Sequence, residues 1–119
     1  MSVIVSIALA TICFTSNGIN QCYPVLFGKN TPVGTYQITQ RYVLTPGYGG
    51  DVLQFSESAT TVLAIHRTWL GNQMQRRPER LLSTNITDRK ITSGCINVDP
   101  VVYQQLVECC ANSQLLIQQ

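Results

Sequence analysis

The sequence predicts a mainly β domain of the α+β class, with short helices confined to its second half. Three observations predict it. Runs of strand length, rich in β-branched and aromatic residues, are cut by Gly, Pro and Asn-Gly punctuation over residues 3–65. Helix signals, an N-cap followed by proline, appear only beyond residue 77. The whole is 119 residues long, enough for one core and not two, so residues 1–119 are read as a single domain.

Residues 3–14 are apolar and lean β-branched (Val3, Ile4, Val5, Ile7, Thr11, Ile12), which suits one strand. Asn17-Gly18 follows as a hairpin turn, because both residues tolerate φ > 0. The same stretch imitates a secretory h-region, but no Lys or Arg precedes it and Ala8-Leu9-Ala10 lies too early for a cleavage site. A second strand is expected over 22–27, closed by Gly28 and Pro32, and a third over 35–44, closed by Pro46 and three glycines. Short apolar runs at 52–55 and 61–65 add two more. Pro78 opens a short basic helix through Leu82. Asp99-Pro100 caps another, in which Val102, Leu106, Cys109 and Cys110 recur at helical spacing. Residues 115–117 return as a last strand.

Composition narrows the function classes. Charged residues are 12% of the chain and the net charge is +2, too small an excess for non-specific nucleic-acid binding. No apolar run reaches the roughly 18 residues of a membrane span. The charge is uneven: Arg67, Arg76, Arg77, Arg80, Arg89 and Lys90 face only Glu79 and Asp88 within 66–90. That segment is either a solvated helix and loop or a rim that attracts a small acidic substrate.

Cys13, Cys22, Cys95, Cys109 and Cys110 are odd in number, so at least one thiol is free. The adjacent pair reads as helical, with side chains on different faces, and Cys13 and Cys22 read as strand interior. The expectation is five free thiols and a reducing, cytoplasmic setting. Zinc lacks a C-x2-C spacing and has only one histidine to use. No metal or cofactor is expected.

The stretch Ile91-Thr92-Ser93-Gly94-Cys95-Ile96-Asn97-Val98 carries the chemical signal. Small residues around Cys95 leave room for a carbonyl, and Gly94 can turn backbone N–H groups toward a tetrahedral oxyanion. His66 ends an apolar run, so a strand would deliver it to a sheet edge or cleft. One Cys and one His are the minimum for a thiolate nucleophile and its base, and are equally the composition of an inert buried thiol and a satisfied histidine.

The segments Thr31-Pro32-Val33-Gly34-Thr35-Tyr36, Ile65-His66-Arg67-Thr68 and Ser93-Gly94-Cys95-Ile96-Asn97, in this order and spacing, together resemble the catalytic (YkuD) domain of the L,D-transpeptidases. The resemblance runs from about residue 3 to 117 and implies a compact YkuD-like β-sandwich. It also implies roles. Cys95 is the nucleophile, His66 its base, the Arg67 carbonyl the group that orients His66, and Gly94 and Cys95 N–H the oxyanion hole. Asn97 stands where members carry Arg or Asn, and with Ser93 is expected at the substrate. Many members have a second His where this chain has Ser93, and Gly or Ser where it has Arg67. The Arg67 side chain is therefore expected to narrow the mouth of the site. Arg76, Arg77 and Arg80, in the insertion between base and nucleophile, are placed to meet substrate carboxylates.

The implied substrate is a peptidoglycan stem tetrapeptide or muropeptide, cut at the L,D bond before its terminal D-Ala. A crowded mouth and a cytoplasmic setting favour hydrolysis, as a cytoplasmic L,D-carboxypeptidase of this family. The alternatives are a secreted or periplasm-delivered L,D-transpeptidase that cross-links or exchanges D-amino acids, and an inactive muropeptide-binding module.

Overall fold

A computed structural model describes residues 2–119, and it is mainly β with two short helices late in the chain. The first apolar run is two strands rather than one. β1 (Ser2–Ser6) and β2 (Thr11–Ser16) are joined by a turn in which Ala10 adopts φ 50°. A turn with positive φ at an alanine carries no Gly or Pro signal, so the run reads as continuous. Asn17 and Gly18 both take positive φ, 53° and 78°, and make the expected two-residue hairpin from β2 into β3 (Ile19–Pro24). β3 therefore starts before residue 22 and stops at Pro24. The next three residues, Val25, Leu26 and Phe27, are buried, and two of them make single bridges, Leu26 to Asn97 and Phe27 to Lys90.

The expected third strand is also divided. β4 (Gly34–Gln37) and β5 (Thr39–Tyr42) lie in different sheets, and the chain changes sheet at the fully buried Ile38. β6 (Asp51–Glu57), β7 (Val62–Arg67) and β8 (Ile96–Val98) complete the second sheet, whose order is β5-β6-β7-β8. β9 (Gln114–Gln118) enters the first sheet, ordered β3-β2-β1-β9-β4, parallel to β1 and antiparallel to β4. α1 (Arg77–Leu81) and α2 (Pro100–Cys110) are the helices. Asp99 caps α2 by accepting from the Val101 N–H at 2.8 Å, with Pro100 in the first turn, where its missing N–H costs nothing.

Strand alternation sorts the side chains into one core. Val3, Val5, Ile12, Phe14, Leu115 and Ile117 come from the first sheet, and Leu53, Phe55, Ile65, Ile96 and Val98 from the second. Between them pack Val102, Tyr103 and Leu106 of α2.

The cysteines depart from the expectation of five free thiols. Cys13 is bonded to Cys22 and Cys109 to Cys110, leaving Cys95 as the free thiol. The hairpin register places Cys13 directly opposite Cys22, and Cys13 alternates with the buried Ile12 and Phe14, so the bond lies on the outer face of the sheet. Cys109 and Cys110 are the last two residues of α2.

Candidate active site

The parallel pairing of β7 with β8 builds the site. Ile65 stands beside Ile96 and His66 beside Asn97. Paired residues share a face, so Ile65 and Ile96 enter the core while Ala64, His66, Cys95 and Asn97 point to the opposite side. A strand of three residues, the shortest in the molecule, thus brings the predicted nucleophile next to the predicted base.

His66 is 2% exposed, and both of its ring nitrogens are engaged. Nδ1 lies 2.7 Å from the Arg67 carbonyl, which can only accept, so Nδ1 carries the proton. Nε2 lies 3.3 Å from Asn97 Nδ2. Asn97 Oδ1 accepts from Arg77 Nη1 at 2.9 Å and from the Trp69 N–H at 3.3 Å. Both of those groups are pure donors, so the amide orientation is fixed and Asn97 must offer its NH₂ to His66. His66 is held as the neutral Nδ1–H tautomer with an unprotonated Nε2. Burial pushes its pKa down to about 4, against the raising effect of the Arg67 carbonyl. Tyr48 packs edge-on against the imidazole, with ring centroids 4.8 Å apart.

Cys95 Sγ–H donates to the Val62 carbonyl at 3.9 Å. Burial raises its pKa, outweighing the Ala64 N–H and the Arg77 charge, which both favour the thiolate. The resting pair is therefore neutral thiol and neutral imidazole, not a preformed ion pair.

The nucleophile loop is braced from within and without. Thr92 Oγ1 donates to the Cys95 carbonyl (2.6 Å) and accepts from the Gly94 N–H (3.1 Å). The expectation that Gly94 N–H serves an oxyanion hole is corrected by that bond, and Cys95 N–H remains as the backbone donor of the expected pair. Gly94 contributes through its backbone shape instead, with φ +146° and a Cβ position only 2.9 Å from Leu63 Cδ2. Thr31, from the Thr31–Tyr36 segment, accepts from the Gly28 N–H and donates to the Gly94 carbonyl, both at 3.0 Å. That segment thus has a local job, which is to hold the Cys95 loop in place.

The remaining predicted residues separate. Asn97 is fully buried, and its side-chain amide contacts His66. Arg67 follows His66 on the strand and points to the other face. Its guanidinium pairs with Asp51 (2.9 Å), donates to the Tyr48 carbonyl (3.2 Å) and lies 4.2 Å from the Tyr103 ring centroid. Its side chain does not narrow the mouth. Arg77 reaches the site, whereas Arg80 is committed to the Gln75 and Asp88 carbonyls and Arg76 lines clefts away from Cys95. Ser93 is exposed beside Cys95.

Two clefts meet at Cys95, His66 and Tyr48. One, of about 480 Å³, runs along β5–β7 past Arg41, Gln54, Glu57 and Val62. The other, of about 210 Å³, is walled by Trp69, Arg77, Thr92 and Ser93. Tyr48 and Trp69 were not legible as site residues. Tyr48 sits within a Pro-Gly-x-Gly-Gly run that reads only as a strand terminator, and Trp69 lies three residues past the motif histidine. No cluster of three or more metal-ligating side chains occurs among the described residues.

L,D-transpeptidase 3 from Mycobacterium tuberculosis matches this chain with a TM-score of 0.70 over 99% of its length. The chain has the L,D-transpeptidase fold. Identity to that enzyme is 13%, and 60% of the enzyme is covered. The same enzyme has been solved in complex with a faropenem-derived adduct. An L,D-transpeptidase from Mycobacterium smegmatis gives a TM-score of 0.61 at 15% identity, covering 99% of this chain and 58% of that one. One from Stackebrandtia nassauensis gives 0.61 at 14%, covering 98% and 54%. The chain therefore spans less than two thirds of these L,D-transpeptidases. No protein-family model and no curated protein matches the sequence.

Proposed function

We propose that this chain is a cysteine acyl-transfer enzyme of the L,D-transpeptidase type, acting on peptidoglycan stem peptides. The observation that carries the proposal is that Cys95 and His66 line the same two clefts where these meet, in a fold shared with L,D-transpeptidases.

The chemistry follows from the two neutral groups. Cys95 attacks the carbonyl of the L,D bond as its proton passes to His66 Nε2, which gives up the Asn97 amide contact to receive it, so no thiolate need accumulate beforehand. The tetrahedral oxyanion collapses, the C–N bond breaks, and the amine of the terminal residue leaves with the proton from His66. The peptide remains as a thioester on Cys95. An amine or water then attacks it, returning a proton through His66 and freeing the sulfur.

For the second step we favour an amine acceptor. The Arg67 side chain that was expected to exclude bulky acceptors is turned away toward Asp51 and Tyr103, so it does not bar a second amine from the thioester. The paired Cys13 and Cys22 also favour an oxidising compartment, where cross-linking or exchange takes place, over the cytoplasm. Mass spectrometry of the products from one purified tetrapeptide tests this. Dimer, or exchanged tetrapeptide when a free D-amino acid is added, is the expected result. Tripeptide and D-Ala alone would make the chain a carboxypeptidase, and no conversion would remove the proposal.

A further inference from the structure

We infer that the small cleft is a carboxylate-reading subsite for a single amino acid, with Arg77 as the residue that confines the enzyme to the C-terminal residue of its peptide. The inference deepens the acyl-transfer reading and rests on it for the identity of the substrate.

The argument begins with charge. Arg77 is half-buried beside Cys95, and no acidic side chain pairs with it; Arg67–Asp51 is the ion pair among the described residues. Its partners are neutral acceptors. Nε donates to Gln75 Oε1 at 2.8 Å, Nη1 to Asn97 Oδ1 at 2.9 Å, and the guanidinium carbon lies 5.1 Å from the Trp69 ring centroid. These contacts fix the plane of the guanidinium and leave Nη2 without a protein partner among the described residues. Partly burying a cation without a counter-ion is costly, and the structure accepts that cost at the wall of a cleft. A ligand carboxylate supplies the missing charge.

Size selects which carboxylate. About 210 Å³ is below the roughly 300–1,000 Å³ of clefts that hold drug-sized ligands, so this side accommodates one small residue and not a continuing chain. The larger cleft, about 480 Å³, is within that range and takes the acyl side of the peptide. With the scissile carbonyl at Cys95, the residue beyond it falls in the small cleft with its free carboxylate toward Arg77. A peptide extended past that residue, or capped as an amide, loses the contact.

The test compares a tetrapeptide with its C-terminal amide in wild type, Arg77→Gln and Arg77→Lys. Wild type is expected to prefer the acid in kcat/KM by roughly 10- to 150-fold, the factor a hydrogen bond to a charged group is worth. In R77Q that ratio should fall toward one, and R77K should keep part of it. A general loss of positioning through Asn97 would lower both substrates and leave the ratio unchanged. A wild-type ratio near one, or a preference that survives in both variants, overturns the inference. If wild type converts neither peptide, the acyl-transfer reading fails and the subsite is tested separately by alkylation of Cys95. Slowing by D-alanine but not by D-alaninamide, abolished in R77Q, sustains it, and no slowing by D-alanine overturns it.

Discussion

At the scale of single residues, the proposed mechanism works through two groups that are both uncharged at rest. The sequence invites a depressed thiol pKa at Cys95, because a histidine and loop N–H groups surround it. The structure reverses that, since burial outweighs those influences. The rate of Cys95 alkylation by iodoacetamide should therefore keep climbing through and beyond the ordinary thiol range near about pH 8.5, and a plateau below pH 7 would show a preformed thiolate. His66, lowered to about 4, binds fewer protons folded than unfolded. Its contribution to stability is present above the unfolded value of about 6.5 and is lost as pH falls through about 4. That amounts to about 3 kcal/mol at most. Asn97→Asp should raise the His66 pKa, because a carboxylate facing Nε2 favours the imidazolium. The chain has a single histidine, so one imidazole resonance followed against pH by NMR reads this directly. An unshifted titration would mean that the Asn97 contact does not set the base.

Elements carry these residues into register, and the sequence discloses them unevenly. The Asn17-Gly18 hairpin, the Asp99-Pro100 helix start and the strand ending at His66 are written in local chemistry, in positive-φ tolerance, capping and alternation. The division of 3–14 and 35–44 into four strands is not. Ala10 is an ordinary residue in a turn conformation, and the sheet change at Ile38 depends on which core surface that side chain fills. Half of the disulfide pattern was nevertheless within reach. Cys13 lies four residues before Asn17 and Cys22 four after Gly18, so a two-residue hairpin must set them opposite each other. Thr31 is the clearest case of a motif residue whose task only the fold explains, since it ties Gly28 and Gly94 together beneath the nucleophile. Thr31→Val keeps the shape but removes both bonds in a buried place, and should cost about 1–3 kcal/mol and lower turnover as the loop shifts. A variant with unchanged thermal unfolding would show that the brace is dispensable. Asp51 ties three elements at once, through Arg67, Gln40 and Tyr103. Asp51→Ala should loosen residues 43–50 around Tyr48, seen as faster amide exchange there than in β1 or β9.

For the whole molecule, a chain of 119 residues closes its first sheet with its own last strand, β9 lying between β1 and β4. That closure joins residues far apart in sequence. The Cys13–Cys22 bond staples one hairpin, with a sequence separation of 9, and the chain-entropy model gives a loop this short about 2.5 kcal/mol. Reduction should lower the unfolding midpoint without abolishing the fold, and an unchanged midpoint would show that the bond adds little. The central claim remains that Cys95 is an acyl-accepting nucleophile served by His66. Peptide mapping of the protein after incubation with faropenem, alongside Cys95→Ser and His66→Gln, tests it most directly. The account predicts one covalent adduct, on the peptide containing Cys95, absent in Cys95→Ser and formed roughly 10²- to 10⁴-fold more slowly in His66→Gln. An adduct on any other residue, or none on the wild-type protein, would contradict it.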